Sequence, residues 1–300
     1  MRNADATGAP QWAHTLASVM SGRLGCASVG LVAVACALSG CGRSSSPSTS
    51  SSIAASTSAS STTTSAHSTS GTAKTWSVVA LGDSVPRGTN CNCTPYPPLT
   101  ASGLATSTGQ PVTATNDSVG GYTSSNVLHQ LSSDANVIDH TRAADAVEIE
   151  IGANDVAYSS ACGTSVDCYT PKLPTIETNL DAIVSRVHEL TAGHKALVVL
   201  LDYWSVWLGG QYAAAHGDAY VAAATTMTEK VDSIIKSTAT KTGSAYVDLR
   251  AAFKGPDYDK DETRYLATDG DHPNAAGHEQ IAVATDAVIE KTLHLTRTER

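Results

Sequence analysis

The sequence predicts an α/β fold in which a five-stranded parallel sheet is covered by helices on both faces. Three observations predict it. Short apolar runs alternate with helical patterns from about residue 76 onward, which is the rhythm of strands joined by crossover helices. Leu180, Ile183, Val184, Val187 and Leu190 recur at spacings of three and four, marking one face of a helix between two such runs. Polar residue types capable of chemistry follow the runs, where the carboxyl ends of parallel strands would collect them.

The first strand is Trp76 to Leu81, a short apolar run that stops at Gly82-Asp83-Ser84. The second, weaker, is Pro111 to Ala114, and the third is Ala146 to Ile151. The fourth, Ala196 to Leu201 (ALVVLL), is the most apolar, and Ala245 to Leu249 is the fifth. Residues 218–238 and 275–292 read as helices, the latter after Pro273-Asn274 as a start signal. Glu148 and Glu150 in the third strand are read as solvated or paired, without a chemical role. No internal repeat is visible. A single Phe among many Ala, Val and Ser predicts a core of small aliphatic side chains. The formal net charge of -9 gives a nucleic-acid role no electrostatic footprint.

The N-terminal segment reads as an address rather than as fold. Leu24 to Leu38 is apolar or small and uncharged, follows Arg23, and is too short to span a bilayer comfortably. It ends in Leu38-Ser39-Gly40-Cys41, which resembles the lipobox of bacterial lipoproteins. Residues 1–40 are therefore expected to be a signal peptide and Cys41 the lipidated residue, the alternatives being a plain signal peptide of a secreted protein or an uncleaved anchor, with Met20 a more conventional start than Met1. In residues 42–75, Ser and Thr occupy 22 of 34 positions, too little apolar surface to offset chain entropy. Residues 41–75 are thus expected to be a disordered tether, spanning about 30 Å as a flexible coil. A diacylated Cys41 would hold the domain, residues 76–300, stably on the outer face of the cytoplasmic membrane.

Cysteines stand at 26, 36, 41, 91, 93, 162 and 168. Setting aside the first three leaves Cys91, Cys93, Cys162 and Cys168, an even number in an exported domain, and hence two disulfides are expected. Cys162 with Cys168 closes a short loop and is the preferred pair. A Cys91–Cys93 bridge would be strained, so cross-pairing between the two segments stays open. The spacings C-x-C and C-x5-C match zinc sites poorly.

Four blocks follow the strands: Gly82-Asp83-Ser84, then Asn116-Asp117-Ser118-Val119-Gly120-Gly121-Tyr122-Thr123, then Gly152-Ala153-Asn154-Asp155, and finally Asp269-Gly270-Asp271-His272-Pro273 before the last helix. A serine hydroxyl needs a base to take its proton. Among ten histidines only His272 has an Asp three positions earlier, and Asp269 could fix its tautomer from the same loop. Asp271, beside His272, is a second carboxylate in the same block. The N–H groups of Ser84 and Gly121 and the amide of Asn154 could supply donors to an oxyanion, each such donor being worth about 2.7–4 kcal/mol.

Together these blocks resemble the GDSL/SGNH hydrolase family, over about residues 77–290. The resemblance implies a flavodoxin-like three-layer α/β/α fold and hydrolysis of carboxylic esters without cofactor or metal. It implies Ser84 as nucleophile, Asp269 and His272 as the acid–base pair, and Ser84, Gly121 and Asn154 as the oxyanion hole. Val85 stands where the family name has Leu, and Gly120 adjoins Gly121. Cys93-Thr94-Pro95-Tyr96-Pro97, with Cys162 and Cys168, resembles secreted actinobacterial members. The implied partner is a small ester, a lipid or an acylated sugar, bound by a monomer.

Other function classes are weaker. No G-x-S-x-G elbow, P-loop or H-E-x-x-H motif occurs. A metal-dependent phosphoesterase could draw ligands from Asp83, Asn154, Asp269, Asp271 and His272, but lacks a further His cluster. A non-catalytic envelope-binding lipoprotein would not need the complete Ser–Asp–His set. Tyr203, Trp204 and Trp207 follow the fourth strand and are candidates either for a substrate pocket or for packing under a loop.

Overall fold

The computed structural model describes residues 74–294. The expected signal peptide, the lipidation candidate Cys41 and nearly all of the expected tether therefore lie outside the described residues. Five strands form one sheet: β1 (Trp76–Gly82), β2 (Val112–Asn116), β3 (Ala146–Glu150), β4 (Leu197–Leu201) and β5 (Ala245–Val247). All pairings are parallel, in the order β2-β1-β3-β4-β5. That is the flavodoxin-like order, whose switch point lies between β1 and β3. Each predicted strand is present, with ends displaced by no more than two residues.

The helices are α1 (Ser84–Arg87), α2 (Tyr96–Thr108), α3 (Ser124–Ser133), α4 (Ala135–Ala143), α5 (Val166–Tyr169), α6 (Leu173–Leu190), α7 (Gly210–Ala214), α8 (Asp218–Thr242), α9 (Leu249–Lys254) and α10 (Ala275–Thr292). One layer is built from α2 and α10, which pack on each other, with α9 beside α10. The other is built from α3, α4, α6 and α8. In α6 the buried positions are Ile176, Leu180, Ile183, Val184 and Val187; four of the five that the sequence spacing marks are buried, and the fifth, Leu190, is half-buried. At the start of α10 the Asn274 side chain accepts from the Gly277 N–H at 3.1 Å, which fixes the helix boundary.

The interior is mostly Ala, Val, Leu and Ile, as the composition predicts, with a few large aromatic side chains, Tyr96, Tyr169, Tyr203 and Trp204 among them, fully buried. One expectation about the interior needs correction. Glu148 and Glu150 are not solvated: both are 0% exposed, because β3 is central and covered on both faces. Glu148 lies beside Thr100 and Glu150 beside Tyr96. Burial pushes both carboxyls well above their ordinary value.

The cysteines pair as neighbours, Cys91 with Cys93 and Cys162 with Cys168, at Cα–Cα distances of 5.1 and 5.8 Å. The preferred Cys162–Cys168 pairing is the one present, and cross-pairing is not.

Candidate active site

The site is assembled from the ends of β1, β2 and β3 and from the loop before α10. At the end of β1, Gly82 has φ +155°, and a Cβ there would meet the Glu150 carbonyl oxygen of β3 at 2.2 Å. Only glycine lets the two strands close up at this point. Asp83 follows, buried, and its carboxylate caps α1 by accepting from the Val85 N–H at 3.0 Å. The Tyr203 hydroxyl donates to the other oxygen at 2.7 Å. Burial pushes the Asp83 carboxyl up to about 6, with the Val85 and Tyr203 hydrogen bonds opposing. Ser84 is thus the first residue of a short helix clamped from beneath.

After β2, the Asn116 side chain donates to the Pro86 carbonyl at 2.6 Å and accepts from the Ser118 N–H at 3.1 Å, tying this loop to α1. Gly121 sits at φ +81°, in the left-handed region that glycine occupies without penalty. After β3, Asn154 donates to the Tyr122 carbonyl at 3.0 Å. The Asp155 carboxylate accepts from the Ser124 N–H at 2.8 Å and its hydroxyl at 2.7 Å. These bonds staple the second and third blocks together, so Asp155 is a brace rather than a reacting group.

Before α10, Asp269 folds back on its own loop. Its Oδ1 accepts from the N–H groups of Asp271 and His272, both at 3.1 Å. Its Oδ2 meets His272 Nδ1 at 2.7 Å and accepts from the Asn90 side-chain amide at 2.5 Å. Burial raises the Asp269 carboxyl, but the donors from Asn90, His272 and the backbone outweigh it and hold it down at about 2. Asp269, not Asp271, therefore orients the imidazole. Asp271 has its pKa raised by desolvation, with His272 opposing and Asp269 adding to the rise.

Ser84, Asn154 and His272 line one cavity of about 330 Å³. No hydrogen bond joins Ser84 Oγ to His272 among the described residues; such bonds are often loose in a free enzyme and tighten with substrate. Gly121 does not line the cavity, and its neighbour Gly120 is nearer: a Cβ on Gly120 would lie 3.9 Å from that of Ser84. Among the described residues, neither the Ser84 nor the Gly121 N–H is spent on another backbone carbonyl outside the regular elements.

Tyr203 and Trp207 line the cavity, whereas Trp204 stacks on Phe253 at 4.3 Å and belongs to the core. Sequence reading missed Asn90, Tyr158, His216 and Tyr220. Nothing in an isolated Asn before a Cys signals contact with a residue 179 positions on, and the three lining residues lie outside any motif. Among the described residues, the one gathering of metal-type side chains is Cys91, Cys93 and His278, whose sulfurs are bonded to each other. The acids and His272 that a phosphoesterase would recruit do not form a common ligand set there.

The sequence matches the model of the GDSL-like lipase/acylhydrolase family over residues 80–280. The chain belongs to this family. It is accordingly a carboxylic ester hydrolase. Solved structures similar in fold include a lipase from a goat rumen metagenome, with 16% identity, TM-score 0.55, and coverage of 75% of this chain and all of that one. Another is an acetylxylan esterase from Geobacillus stearothermophilus, with 21% identity, TM-score 0.53, and coverage of 75% and 97%. A third, TesA, has 18% identity, TM-score 0.51, and coverage of 72% and 98%. No curated protein matches.

Proposed function

We propose that the chain is a serine esterase that works through an acyl-enzyme on the outer side of the cytoplasmic membrane, held there by lipid on Cys41. The observation that carries the mechanism is the His272 Nδ1–Asp269 Oδ2 contact at 2.7 Å, in a cavity that Ser84 and His272 both line. His272 Nε2 takes the Ser84 proton as Oγ attacks the ester carbonyl. Asp269, ionised throughout the working range because its carboxyl is held near 2, keeps Nδ1 protonated and balances the imidazolium. The N–H of Ser84 and the side-chain amide of Asn154, on residues that both line the cavity, receive the oxyanion. The imidazolium returns its proton to the leaving alkoxide, and the acyl group remains on Ser84. Water, deprotonated by His272, then attacks the acyl-enzyme, releasing the carboxylic acid and restoring the serine.

Hydrolysis of p-nitrophenyl esters of increasing acyl length, by the full chain and by Ser84→Ala, tests this. Activity that falls at least about 10³-fold in Ser84→Ala supports the assignment. Wild-type activity in that variant overturns it.

A further inference from the structure

The wall of the cavity beside His272 is aromatic and acidic, and this combination has a chemical meaning. Tyr158, Trp207 and Tyr220 form a continuous cluster, with ring centroids 5.3 Å (Tyr158–Trp207), 5.2 Å (Tyr158–Tyr220) and 5.6 Å (Trp207–Tyr220) apart. Trp207 is fixed by an indole hydrogen bond to the Val156 carbonyl at 2.8 Å, and Tyr220 by the Leu208 N–H donating to its hydroxyl at 3.2 Å. Tyr158 is 43% exposed, so the cluster offers an open ring to an incoming ligand. Asp271 lines the same cavity, within electrostatic range of Tyr220 and of His272. Its carboxylate makes no hydrogen bond among the described residues, and no Lys or Arg lines the cavity.

An unpaired carboxylate next to fixed aromatic rings attracts a poorly hydrated cation, through Coulomb attraction and through the ring quadrupoles. Asn154, Ser84 and His272 are committed to the reaction, Asp83 to Tyr203, and Ser205 to the Leu208 carbonyl, which leaves Asp271, His216 and the hydroxyls of Tyr158 and Tyr220; of these only Asp271 carries a formal negative charge, and it is the group a cation would meet. The side of the cavity is also set by the chemistry. His272 must reach the leaving-group oxygen to protonate it, and Asp271 lies within electrostatic range of His272, so a cation held by Asp271 belongs to the alcohol portion of the ester.

We propose that the cavity selects esters whose alcohol portion carries an alkylammonium or quaternary ammonium group, with Asp271 and the Tyr158–Trp207–Tyr220 wall as the cation subsite. This rests on the esterase reading above and names the substrate class within it.

The test uses the full chain and a matched pair of thioesters, butyrylthiocholine and its uncharged isostere 3,3-dimethylbutyl thiobutyrate. The readout is the ratio of their kcat/KM values in wild type, Asp271→Asn and Asp271→Glu. The wild-type ratio is expected to be about tenfold or more in favour of the cation, to fall to within about threefold of unity in Asp271→Asn, and to recover in part in Asp271→Glu. A change that merely misplaces His272 lowers both substrates and leaves the ratio alone. A wild-type ratio near one, or a preference that survives Asp271→Asn, overturns the proposal. So does a larger loss on an acetylated xyloside than on the thiocholine ester, which would make Asp271 a sugar contact. If wild type cleaves neither thioester nor any p-nitrophenyl ester, the esterase reading itself has failed.

Discussion

Removal of the Tyr203 hydroxyl, as Tyr203→Phe, isolates the clamp beneath Ser84. Tyr203 and Asp83 are both about 1% exposed, and the hydroxyl donates to the carboxylate at 2.7 Å. A hydrogen bond to a charged acceptor contributes about 1.5–3 kcal/mol, and one to a neutral acceptor about 1 kcal/mol. The loss therefore depends on whether Asp83 is ionised. Its folded value is pushed up to about 6 from an ordinary 3.8, so Asp83 stabilises the fold fully below about 3.8, and that contribution disappears as pH rises through about 6. Removing a donor to the anion moves the folded value higher still, so the variant loses more with rising pH than wild type does. At pH 5 the destabilisation is expected to be about 1 kcal/mol, and at pH 8 about 2 kcal/mol or more. For a unit of this size that is a Tm decrease of about 2–4 °C at pH 5 and about 4–8 °C at pH 8. Thermal unfolding of both proteins from pH 4.5 to 8.5 measures it, with kcat followed alongside because Ser84 sits next to the clamped carboxylate. A Tm decrease that is absent, or the same at every pH, refutes the argument that this bond serves the ionised acid.

Three further outcomes follow from the same geometry. Asp269→Asn should leave the fold intact but drop kcat by about 10³- to 10⁴-fold in steady-state ester kinetics, because the wrong tautomer of His272 is then favoured. Asn90→Ala removes the other donor on Asp269 Oδ2 and should lower kcat about tenfold with little change in KM; a KM effect alone would mean that Asn90 binds substrate instead. Glu148 and Glu150 are buried and titrate well above 4.5, so their contribution is complete below that value and is lost as pH rises through the raised ones. Tm should fall on the alkaline side, and Glu150→Gln should flatten that fall in a pH series of melting curves.

The fold was legible where pattern and packing coincide. The stripe on α6 and the Pro273-Asn274 start of α10 are local signals, and the structure keeps both. Helix α2 left almost no trace. It buries Tyr96, Pro97, Thr100, Ala101 and Leu104 among Ser, Thr and Gly, so apolar periodicity is faint, and its prolines sit in the first turn, where the missing N–H groups cost nothing. Glu148 and Glu150 misled because charge in a strand normally means solvent, whereas here a central strand buries both faces. At the site, Asp269 and His272 were readable because they stand three positions apart in one loop. Asn90, Tyr158 and Tyr220 arrive from distant segments, and only the fold brings them to the cavity. Spacing favoured Asp269 over Asp271, and the hydrogen bonds on Asp269 supply the physical reason.

The most direct test of the central claim is peptide mapping after the full chain reacts with a fluorophosphonate, which phosphonylates an activated serine irreversibly. The account predicts one adduct per chain, on the peptide bearing Ser84, formed in step with loss of esterase activity, absent in Ser84→Ala and much slower in His272→Ala. An adduct elsewhere that tracks the loss of activity, or full activity with Ser84 blocked, would contradict it.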